Sequence, residues 1–315
     1  MNLDKKLIEK FSDITSNAAI ACSKYIGKNN KIAADKAATD AMRKSLNKLD
    51  INGEVVIGEG ELDNAPMLYI GEKLGTGKGP NIDIAVDPLE GTNFAAKNLP
   101  GALSVMAISL KGNLFNAPET YMNKIAVGND VPIDATDLDF SIEKNIKNIA
   151  DSKNKDIHQM NVCLLDRPRH KDIIDRLKEL KVNLKLITDG DVSGALLVTN
   201  DKYKVDIFLG IGGGPEGVLA AAALDSFNCS FQGRFLFKTE DDKRRARNMG
   251  IIDLSKKYEL NEIVSGDSIF CATGITSGDL VSGIKIEGKK SNQSYHIFGT
   301  KVLPLRNDAI IHKSM

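Results

Sequence analysis

The sequence has 315 residues, of which 42% are hydrophobic and 27% are charged. This length predicts about two domains of roughly 150 residues each, and the composition is that of a globular protein with a substantial core. The 42 Lys and Arg residues equal the 42 Asp and Glu residues in number. That balance argues against a general binder of nucleic acid or of an anionic membrane, because such proteins carry a basic excess.

Cysteines and histidines are few and scattered along the chain. The four cysteines contain no CxxC pair, and the four histidines lack the spacing of metal ligands, so neither a disulfide framework nor a zinc site is expected. The charged N-terminus has no uninterrupted apolar segment, and no apolar run reaches the roughly 18 residues of a membrane span. A cytoplasmic location without a membrane partner is therefore expected.

The first half of the chain predicts two helices followed by several strands. Apolar residues from Leu3 to Cys22 recur every three or four positions, which predicts an amphipathic helix, and the Ala-rich stretch Ile32–Leu49 predicts a second one. The strands predicted next are Glu54–Ile57, Ile82–Val86, Leu103–Leu110 and Lys124–Val127. The turn Lys111–Asn113 makes the third strand a hairpin arm, and a polar helix is predicted near Ser141–Lys153.

From about residue 158 the predicted strands and helices alternate. Strands are expected at Asn161–Leu165, Val182–Ile187 and Val205–Ile211, and helices at Arg169–Leu180, Val192–Val198 and Val218–Leu224. Such βα units predict a parallel sheet covered by helices. The end of the chain returns to strands, at Ser268–Ala272, Val281–Ile286 and Tyr295–Phe298. We therefore predict an α/β fold, with an α+β first half (residues 1–158) and an α/β second half (residues 159–315).

Three short segments place carboxylates directly after predicted strands. They are Gly58–Asp63, Asp87–Thr92 and Gly212–Gly217, and strand ends are where ligands usually bind in such sheets. In the middle segment, Asp87 and Glu90 present hard oxygens of the kind that Mg²⁺ and Mn²⁺ prefer. The alternative for this segment is an acidic helix cap with a proline at the helix start.

The middle segment, Asp-Pro-Leu-Glu-Gly-Thr, resembles the D-P-[IL]-[DE]-G-T signature of the metal-dependent, lithium-sensitive sugar phosphatases. Further segments narrow the resemblance to the class II, bacterial-type fructose-1,6-bisphosphatases, and they keep the family order over most of the chain. These segments are Val56–Lys73, Arg167–His170, Asp189–Asp191, Gly212–Gly217 and Ala272–Thr276. The resemblance implies a layered sugar-phosphatase fold with alternating helix and sheet layers, in which the first domain carries most metal ligands and the second completes the substrate site.

The resemblance also implies two or more divalent ions, Mn²⁺ or Mg²⁺, and assigns residues to them. Asp35 and Glu59 match ligands of one ion, whereas Asp87, Glu90 and Glu216 match ligands of the other. The positions implied to bind substrate are Lys31, Glu90, Gly91, Thr92, Tyr121, Arg167, Pro168, Arg169, Asp189, Gly190, Asp191 and Gly213. The substrate would be a sugar bisphosphate, and the enzyme a homo-oligomer, either a dimer or a tetramer.

The expected reaction is hydrolysis of the 1-phosphate of D-fructose 1,6-bisphosphate to fructose 6-phosphate and phosphate, a step of gluconeogenesis. We hypothesise that Thr92 orients a metal-bound water for in-line attack and that Asp63 or Glu61 accepts its proton. For these two acids, a surface position in a turn is the alternative. Within the sugar phosphatases, the alternatives are additional activity on sedoheptulose 1,7-bisphosphate and an inositol-monophosphatase-type enzyme.

The second phosphate of a bisphosphate needs its own cationic partners. Arg167 and Arg169 follow a predicted strand, and a guanidinium can bind phosphate through two parallel hydrogen bonds. Asp189 and Asp191 follow the next strand and are expected to accept hydrogen bonds from sugar hydroxyls. For Tyr121 the alternative is a half-buried core residue, which a lone tyrosine more often is.

Other classes of protein are disfavoured by particular residues. Gly212-x-Gly214-x-x-Gly217 satisfies the GxGxxG pattern of dinucleotide-binding oxidoreductases, but Pro215 and Glu216 lie where a pyrophosphate would have to bind. In the segment Gly75–Gly79, Lys78 is followed by Gly79 where a P-loop has Ser or Thr.

A binding module for anions or nucleic acid is the third alternative, because residues 243–247 are strongly basic. Glu240 and Asp241 stand four positions before Arg244 and Arg245. This spacing predicts a salt-bridged, solvent-exposed helix instead.

Overall fold

Two six-stranded sheets organise the described part of the chain, which comprises residues 5–58, 68–287, 289–291 and 294–299 of a computed structural model. The chain divides into two units, the first formed by Met1–Asn116 with Ile263–Met315 and the second by Ala117–Glu262. The second unit is therefore an insertion within the first, a division that differs from the predicted boundary between residues 158 and 159.

The helices follow the predicted ones closely over residues 5–46, 142–152 and 171–225. In chain order they are α1 (Lys5–Ser23), α2 (Lys31–Leu46), α3 (Thr92–Lys97), α4 (Ile142–Ser152), α5 (Lys171–Glu179), α6 (Asp191–Leu196), α7 (Gly214–Asp225), α8 (Glu240–Asn248) and α9 (Leu260–Ile263).

The strands include every predicted one, although the strand predicted at residues 281–286 is present only at its end. In chain order they are β1 (Asn52–Ile57), β2 (Lys73–Leu74), β3 (Asn81–Glu90), β4 (Leu103–Leu110), β5 (Tyr121–Val127), β6 (Asn161–Leu165), β7 (Asn183–Ile187), β8 (Ile207–Gly213), β9 (Ser230–Leu236), β10 (Lys257–Glu259), β11 (Ser268–Gly274), β12 (Lys285–Glu287), β13 (Lys289–Ser291) and β14 (Ser294–Gly299).

The sheet of the first unit has the strand order β14-β11-β4-β3-β1-β2. Its β1–β3 pair is parallel and the other pairs are antiparallel. α1 packs on β11 and β4, and α2 packs on α1, α3 and β3. Because β11 pairs with β4, the end of the chain returns to the first sheet, which is why the first unit is discontinuous.

The hairpin predicted at residues 111–113 is wrong. β4 pairs with β3 and β11 rather than with the strand that follows it. The turn is held by Asp83 of β3, whose Oδ2 accepts hydrogen bonds from the N–H groups of Gly112 (2.6 Å) and Leu114 (3.3 Å). Leu114 then bridges to Val264, so the chain leaves the sheet instead of folding back along it.

The sheet of the second unit has the order β10-β9-β5-β8-β6-β7. β6, β7 and β8 are parallel, as predicted from the alternating strands and helices. β5, β9 and β10 are antiparallel to their neighbours, so the whole sheet is mixed rather than parallel. β5 pairs with β8, and this places a strand of the predicted first domain in the second unit.

Helices cover both faces of this sheet. On one face, α4 and α5 pack against the strands through a hydrophobic cluster that includes Ile125, Val127, Ile146, Ile149, Val162, Leu164, Ile174, Leu177, Ile207 and Leu209. On the other, α6 and α7 pack on β6, β8, β5 and β9. α7 is apolar nearly all around and is buried along its length, as expected for a helix between a sheet and other elements. These layers agree with the predicted α/β fold class.

α8 carries the basic run, and the prediction for it is confirmed. Lys243 pairs with Glu240 (2.6 Å), Arg245 with Asp242 (2.9 Å), and Arg244 with Asp241. All six charged residues of Glu240–Arg245 are thus paired within the helix itself. No helix in the described ranges is long and apolar enough to cross a membrane.

The cluster under α4 gives a stability prediction. Replacing Ile146, which is fully buried, by Ala removes apolar contacts and leaves a cavity, and we expect the free energy of unfolding to fall by about 2–4 kcal/mol. Ile133 is 74% exposed, so Ile133→Ala is the matched control and changes stability by less than about 0.5 kcal/mol. Urea denaturation followed by circular dichroism measures both, and equal effects would contradict the packing described for α4.

Candidate active site

The acidic segment of the first unit lies at a bulge in β3. The sequence places Asp87 and Glu90 after the strand, but β3 continues through Glu90. Asp87 pairs with Val105 and Glu90 with Leu103, so three steps along β3 match two along β4. The extra residue forms a β-bulge, a feature that re-aims side chains at sheet ends.

Local hydrogen bonds fix the turn that follows the bulge. The Leu89 N–H donates to Oδ1 of Asp87 (3.0 Å), and the Thr92 hydroxyl donates to the Leu89 carbonyl oxygen (3.2 Å). Gly91 has a φ of +78° and caps α3 without a side-chain hydrogen bond, and Thr92 is the first residue of that helix. The alternative of an acidic helix cap is therefore wrong, since neither carboxylate caps α3. Glu90 is only 4% exposed.

Lys31 and Asp35 occupy the first turns of α2. Lys31 follows the cap residue Asn30, whose Oδ1 accepts a hydrogen bond from the Ala33 N–H (3.1 Å). Asp35 is half-buried one turn later. Burial and the charge of Asp35 together raise the pKa of the Cys22 thiol to about 12. The predicted site residues Glu59, Glu61 and Asp63 lie outside the described residues.

The predicted arginines of the second unit lie after β6. Pro168 opens a short 3₁₀ turn, Pro168–His170. The Nε of Arg169 donates to the Ile211 carbonyl oxygen (2.8 Å), and its guanidinium carbon lies 4.8 Å from the centroid of the Tyr121 ring. Arg167 reaches Asp189, with 3.5 Å between Nη2 and Oδ1. Tyr121 is 36% exposed, so it is not the core residue that the alternative described.

His170 connects the end of β6 to β8, and sequence reasoning gave it no role. Its Nδ1 lies 2.6 Å from the Leu165 carbonyl oxygen, and its Nε2 lies 2.7 Å from the Ile211 N–H. Because Nε2 accepts this N–H, the ring is neutral and donates its Nδ1 proton to Leu165. Burial lowers the pKa of His170. The hydrogen bond to Leu165 partly opposes this, the charge of Arg169 lowers the pKa further, and Ile211 and Asp191 oppose it more weakly.

The glycines of β8 make room for side chains of the protein itself. A Cβ on Gly212 would lie 1.8 Å from Oδ2 of Asp191, and one on Gly213 would lie 1.8 Å from Oε2 of Glu216. A Cβ on Gly214 would meet the Phe235 ring at 2.8 Å. The Gly-rich pattern that suggested a dinucleotide loop is thus explained by packing within the second unit.

Lys124 is the second residue that sequence reasoning missed. It lies in the middle of β5, is 1% exposed, and forms an ion pair with Asp191. Its Nζ also donates to the Gly213 carbonyl oxygen (2.7 Å). A lysine inside a predicted strand of otherwise apolar residues was the available signal, because a buried amine requires a partner.

Asp191 and Glu216 share this buried surrounding. Asp191 is 8% exposed and begins α6, after Gly190 with a φ of +84°. Burial raises the pKa of Glu216, with a further increase from the charge of Asp191, while Lys124 acts in the opposite direction. The second unit therefore brings Arg167, Arg169, Tyr121, Asp189, Asp191, Gly213 and Glu216 to one end of its sheet.

Within the described ranges, no group of three or more Asp, Glu, His or Cys side chains is arranged to hold a metal ion. The donor chemistry of the first unit nevertheless suits one, since Asp87 and Glu90 offer carboxylate oxygens at the bulge, next to the Leu89 carbonyl.

Carboxylates at one strand end, and arginines beside a tyrosine at another, are the features of an enzyme acting on a phosphate ester. The family profile described as bacterial fructose-1,6-bisphosphatase, glpX-encoded, matches residues 5–304. The chain therefore belongs to this family, and the predicted resemblance and enzyme class are confirmed.

Individual relatives cover nearly the whole chain. Fructose-1,6-bisphosphatase 1 class 2 of Escherichia coli (strain K12) is 39% identical over 322 residues, which cover 98% of this chain and 95% of the relative. D-fructose 1,6-bisphosphatase class 2/sedoheptulose 1,7-bisphosphatase of Synechococcus sp. (strain JA-2-3B'a(2-13)) is 40% identical over 311 residues, covering 91% and 89%.

Solved structures resemble the chain only weakly. Inositol monophosphatase from Anabaena (Nostoc) sp. PCC 7120 is 13% identical, covers 62% of this chain and 69% of its own, and has a TM-score of 0.28. A likeness at this level carries no argument about fold or function.

The lowered pKa of His170 predicts how stability depends on pH. The unfolded chain binds a proton on this residue near its ordinary value of 6.5, whereas the folded protein resists it. The contribution of His170 to the free energy of unfolding is therefore constant above about pH 7 and falls as the pH decreases below about 6.5, with the slope given by proton linkage. Denaturant titrations between pH 8 and 5 measure this.

The control for this prediction is His158, which is exposed. His170→Asn is expected to flatten the pH dependence between 6.5 and 5.5, whatever its effect on absolute stability, while His158→Asn leaves the dependence unchanged. An unaltered slope in His170→Asn would refute the assignment.

Proposed function

We propose that this chain hydrolyses the 1-phosphate of D-fructose 1,6-bisphosphate to fructose 6-phosphate and inorganic phosphate. The observation that carries the proposal is the family match over residues 5–304. The acidic bulge of the first unit and the arginines of the second supply the two kinds of group that such a substrate requires. Unaided hydrolysis of a phosphate monoester is among the slowest of biological reactions, so each group must stabilise the transition state.

We propose Thr92 as the residue that orients the attacking water. Its hydroxyl proton is committed to the Leu89 carbonyl oxygen (3.2 Å), so the Thr92 oxygen is left to accept a hydrogen bond. A water that donates a hydrogen bond to the Thr92 oxygen has its lone pairs on the opposite side. From there it can attack the phosphorus atom of the substrate. Glu61 or Asp63 would accept the proton that the water loses.

The required cofactors are proposed to be two or more Mg²⁺ or Mn²⁺ ions. When bound, they neutralise phosphate charge and stabilise the entering and leaving oxygens. The carboxylates proposed to hold them are Asp35, Glu59, Asp87 and Glu90 in the first unit and Glu216 in the second. Glu90 is buried. A bound cation would compensate the charge of its carboxylate, which bulk water does not reach.

Substrate binding is proposed to use the remaining predicted positions. In the second unit, Arg169 would bind the phosphate that is not hydrolysed, since its Nη groups make no hydrogen bond with other described residues. Arg167 and Asp189 hold one another at 3.5 Å and would contact the sugar phosphate together. The further positions are Lys31, Gly91, Tyr121, Pro168, Gly190, Asp191 and Gly213.

A second candidate function is additional hydrolysis of sedoheptulose 1,7-bisphosphate. The Synechococcus relative with 40% identity carries both activities in its name.

We also propose that the enzyme acts in the cytoplasm, in gluconeogenesis, as a homodimer or homotetramer. Analytical ultracentrifugation tests the oligomeric state.

The first test is phosphate release from a panel of substrates. With Mg²⁺ or Mn²⁺, we expect turnover of fructose 1,6-bisphosphate in preference to inositol monophosphate. Glu90→Gln retains the shape of the side chain but removes a charge, so kcat is expected to fall at least about 100-fold. Glu179→Gln, at the exposed end of α5, is the matched control. Preference for inositol monophosphate would overturn the proposed function.

The second test concerns the Thr92 hydroxyl. Thr92→Ala removes the acceptor for the water, and we expect kcat to fall about 100-fold with KM within a factor of three. Thr92→Ser keeps the hydroxyl and is expected to retain most of the activity. Steady-state kinetics with fructose 1,6-bisphosphate measure both, and an unchanged kcat in Thr92→Ala would eliminate this role.

A further inference from the structure

The ring of Tyr121 contacts two cations at once. The guanidinium carbon of Arg169 lies 4.8 Å from the ring centroid, and the Nζ of Lys238 lies 4.5 Å from it. Cations are attracted to the face of an aromatic ring, which holds them without neutralising their charge. The contact therefore places two positive groups against the same ring at the exposed end of β5.

Neither cation has an anionic partner in the part of the chain that the structure describes. Among the described residues, Lys238 and Arg169 form no ion pair, and the Nζ of Lys238 makes no hydrogen bond. Most other cations around this sheet are paired, as Lys153 is with Asp206 and Arg234 with Asp139. Two like charges at one ring repel each other, so an anion that binds both would relieve the repulsion.

The backbone around Lys238 is well fixed. Tyr121 pairs with Leu236 of β9 on one side and with Gly213 of β8 on the other. The Thr120 hydroxyl donates to the Leu236 carbonyl oxygen (2.7 Å). Two residues later, the Lys238 N–H donates to Oδ2 of Asp242 (3.1 Å). The position of Lys238 beside Tyr121 thus follows from the sheet and from the start of α8.

Thr120, Tyr121 and Lys238 line one cavity of about 390 Å³, together with Gly213, Pro215 and Glu216. A cavity of this size accommodates a sugar phosphate. Asp242 also lines it, but its carboxylate accepts hydrogen bonds from Thr239 and Arg245, which hold its pKa at about 2. Asp242 is therefore committed to capping α8 and does not neutralise Lys238. Glu119 and Glu216 are the other carboxylates of the cavity.

We propose that Lys238 binds the phosphate that is not hydrolysed, together with Arg169, at the edge of the Tyr121 ring. This inference rests on the proposed function for the identity of the sugar, and it adds a residue that the sequence motifs do not contain. A dianionic phosphate between an ammonium and a guanidinium satisfies both charges with charge-assisted hydrogen bonds. Lys238 thereby favours a bisphosphate over a monophosphate.

The first experiment measures binding without turnover. Fructose 6-phosphate carries only the phosphate that is not hydrolysed. Calorimetry on the Mg²⁺-loaded full-length protein gives the affinity of the protein for this ligand. We expect Lys238→Ala to weaken this affinity about tenfold and Lys238→Arg to stay within a factor of three. The matched control is Lys202→Ala, because Lys202 also lies over a tyrosine, 4.7 Å from the ring of Tyr203, and is expected to have no effect.

The second experiment separates phosphate binding from a structural role. For Lys238→Ala we expect KM for fructose 1,6-bisphosphate to rise about tenfold with kcat within a factor of two. With fructose 1-phosphate, which lacks the second phosphate, kcat/KM should not change. An equal loss on both substrates would mean that Lys238 only supports the fold around Tyr121, and the inference would be overturned.

The outcomes distinguish this inference from the proposed function. An affinity for fructose 6-phosphate that does not depend on Lys238 overturns the inference even if the bisphosphate is hydrolysed. A Lys238-dependent affinity without hydrolysis of fructose 1,6-bisphosphate supports the phosphate site and overturns the proposed function.

Discussion

The buried ion pair between Lys124 and Asp191 is the constraint on which one end of the second unit's sheet depends. Both groups are almost fully buried, and removing one partner of such a pair costs about 3–5 kcal/mol because the other charge is left uncompensated. Lys124 also binds the Gly213 carbonyl (2.7 Å), so one ammonium fixes the start of α6 and the end of β8. A side chain at position 212 would collide with the Asp191 carboxylate, and one at position 213 with that of Glu216, so both positions require glycine.

The titratable groups of the second unit are of two kinds: some are held by partners within the protein, and others have no carboxylate partner among the described residues. Lys124 and Asp191 belong to the first kind, and His170 stays neutral between two backbone groups. Arg169 and Lys238 belong to the second, because the Tyr121 ring orients them without neutralising them. The formal net charge of zero thus conceals a local cationic surface around Tyr121.

Much of the fold could be predicted from the sequence because periodicity reports local structure. α4 and the strands β6 and β8 lie where their apolar patterns place them. The pairing of the strands could not be predicted, because nothing in the sequence of β11 indicates that it pairs with β4. The turn at Gly112 has the sequence of a hairpin turn, and only the structure shows that Asp83 binds it instead. His170 binds the backbone of Ile211 and Lys124 pairs with Asp191. Both partners are distant in sequence, so only the fold shows these contacts.

The insertion of the second unit has a consequence for the order of folding. The chain leaves the first unit after Asn116 and returns at Ile263. Leu114 and Val264, next to these two points, are bridged to each other. During synthesis, β1, β3 and β4 emerge early but lack β11 until residues 117–262 have been made. The second unit is contiguous and has its own core, so it can fold before the rest of the chain has been made. Until β11 has been synthesised, the edge of β4 in the first sheet stays unpaired. An unpaired edge of this kind is prone to aggregation, which makes synthesis itself the vulnerable period for this protein.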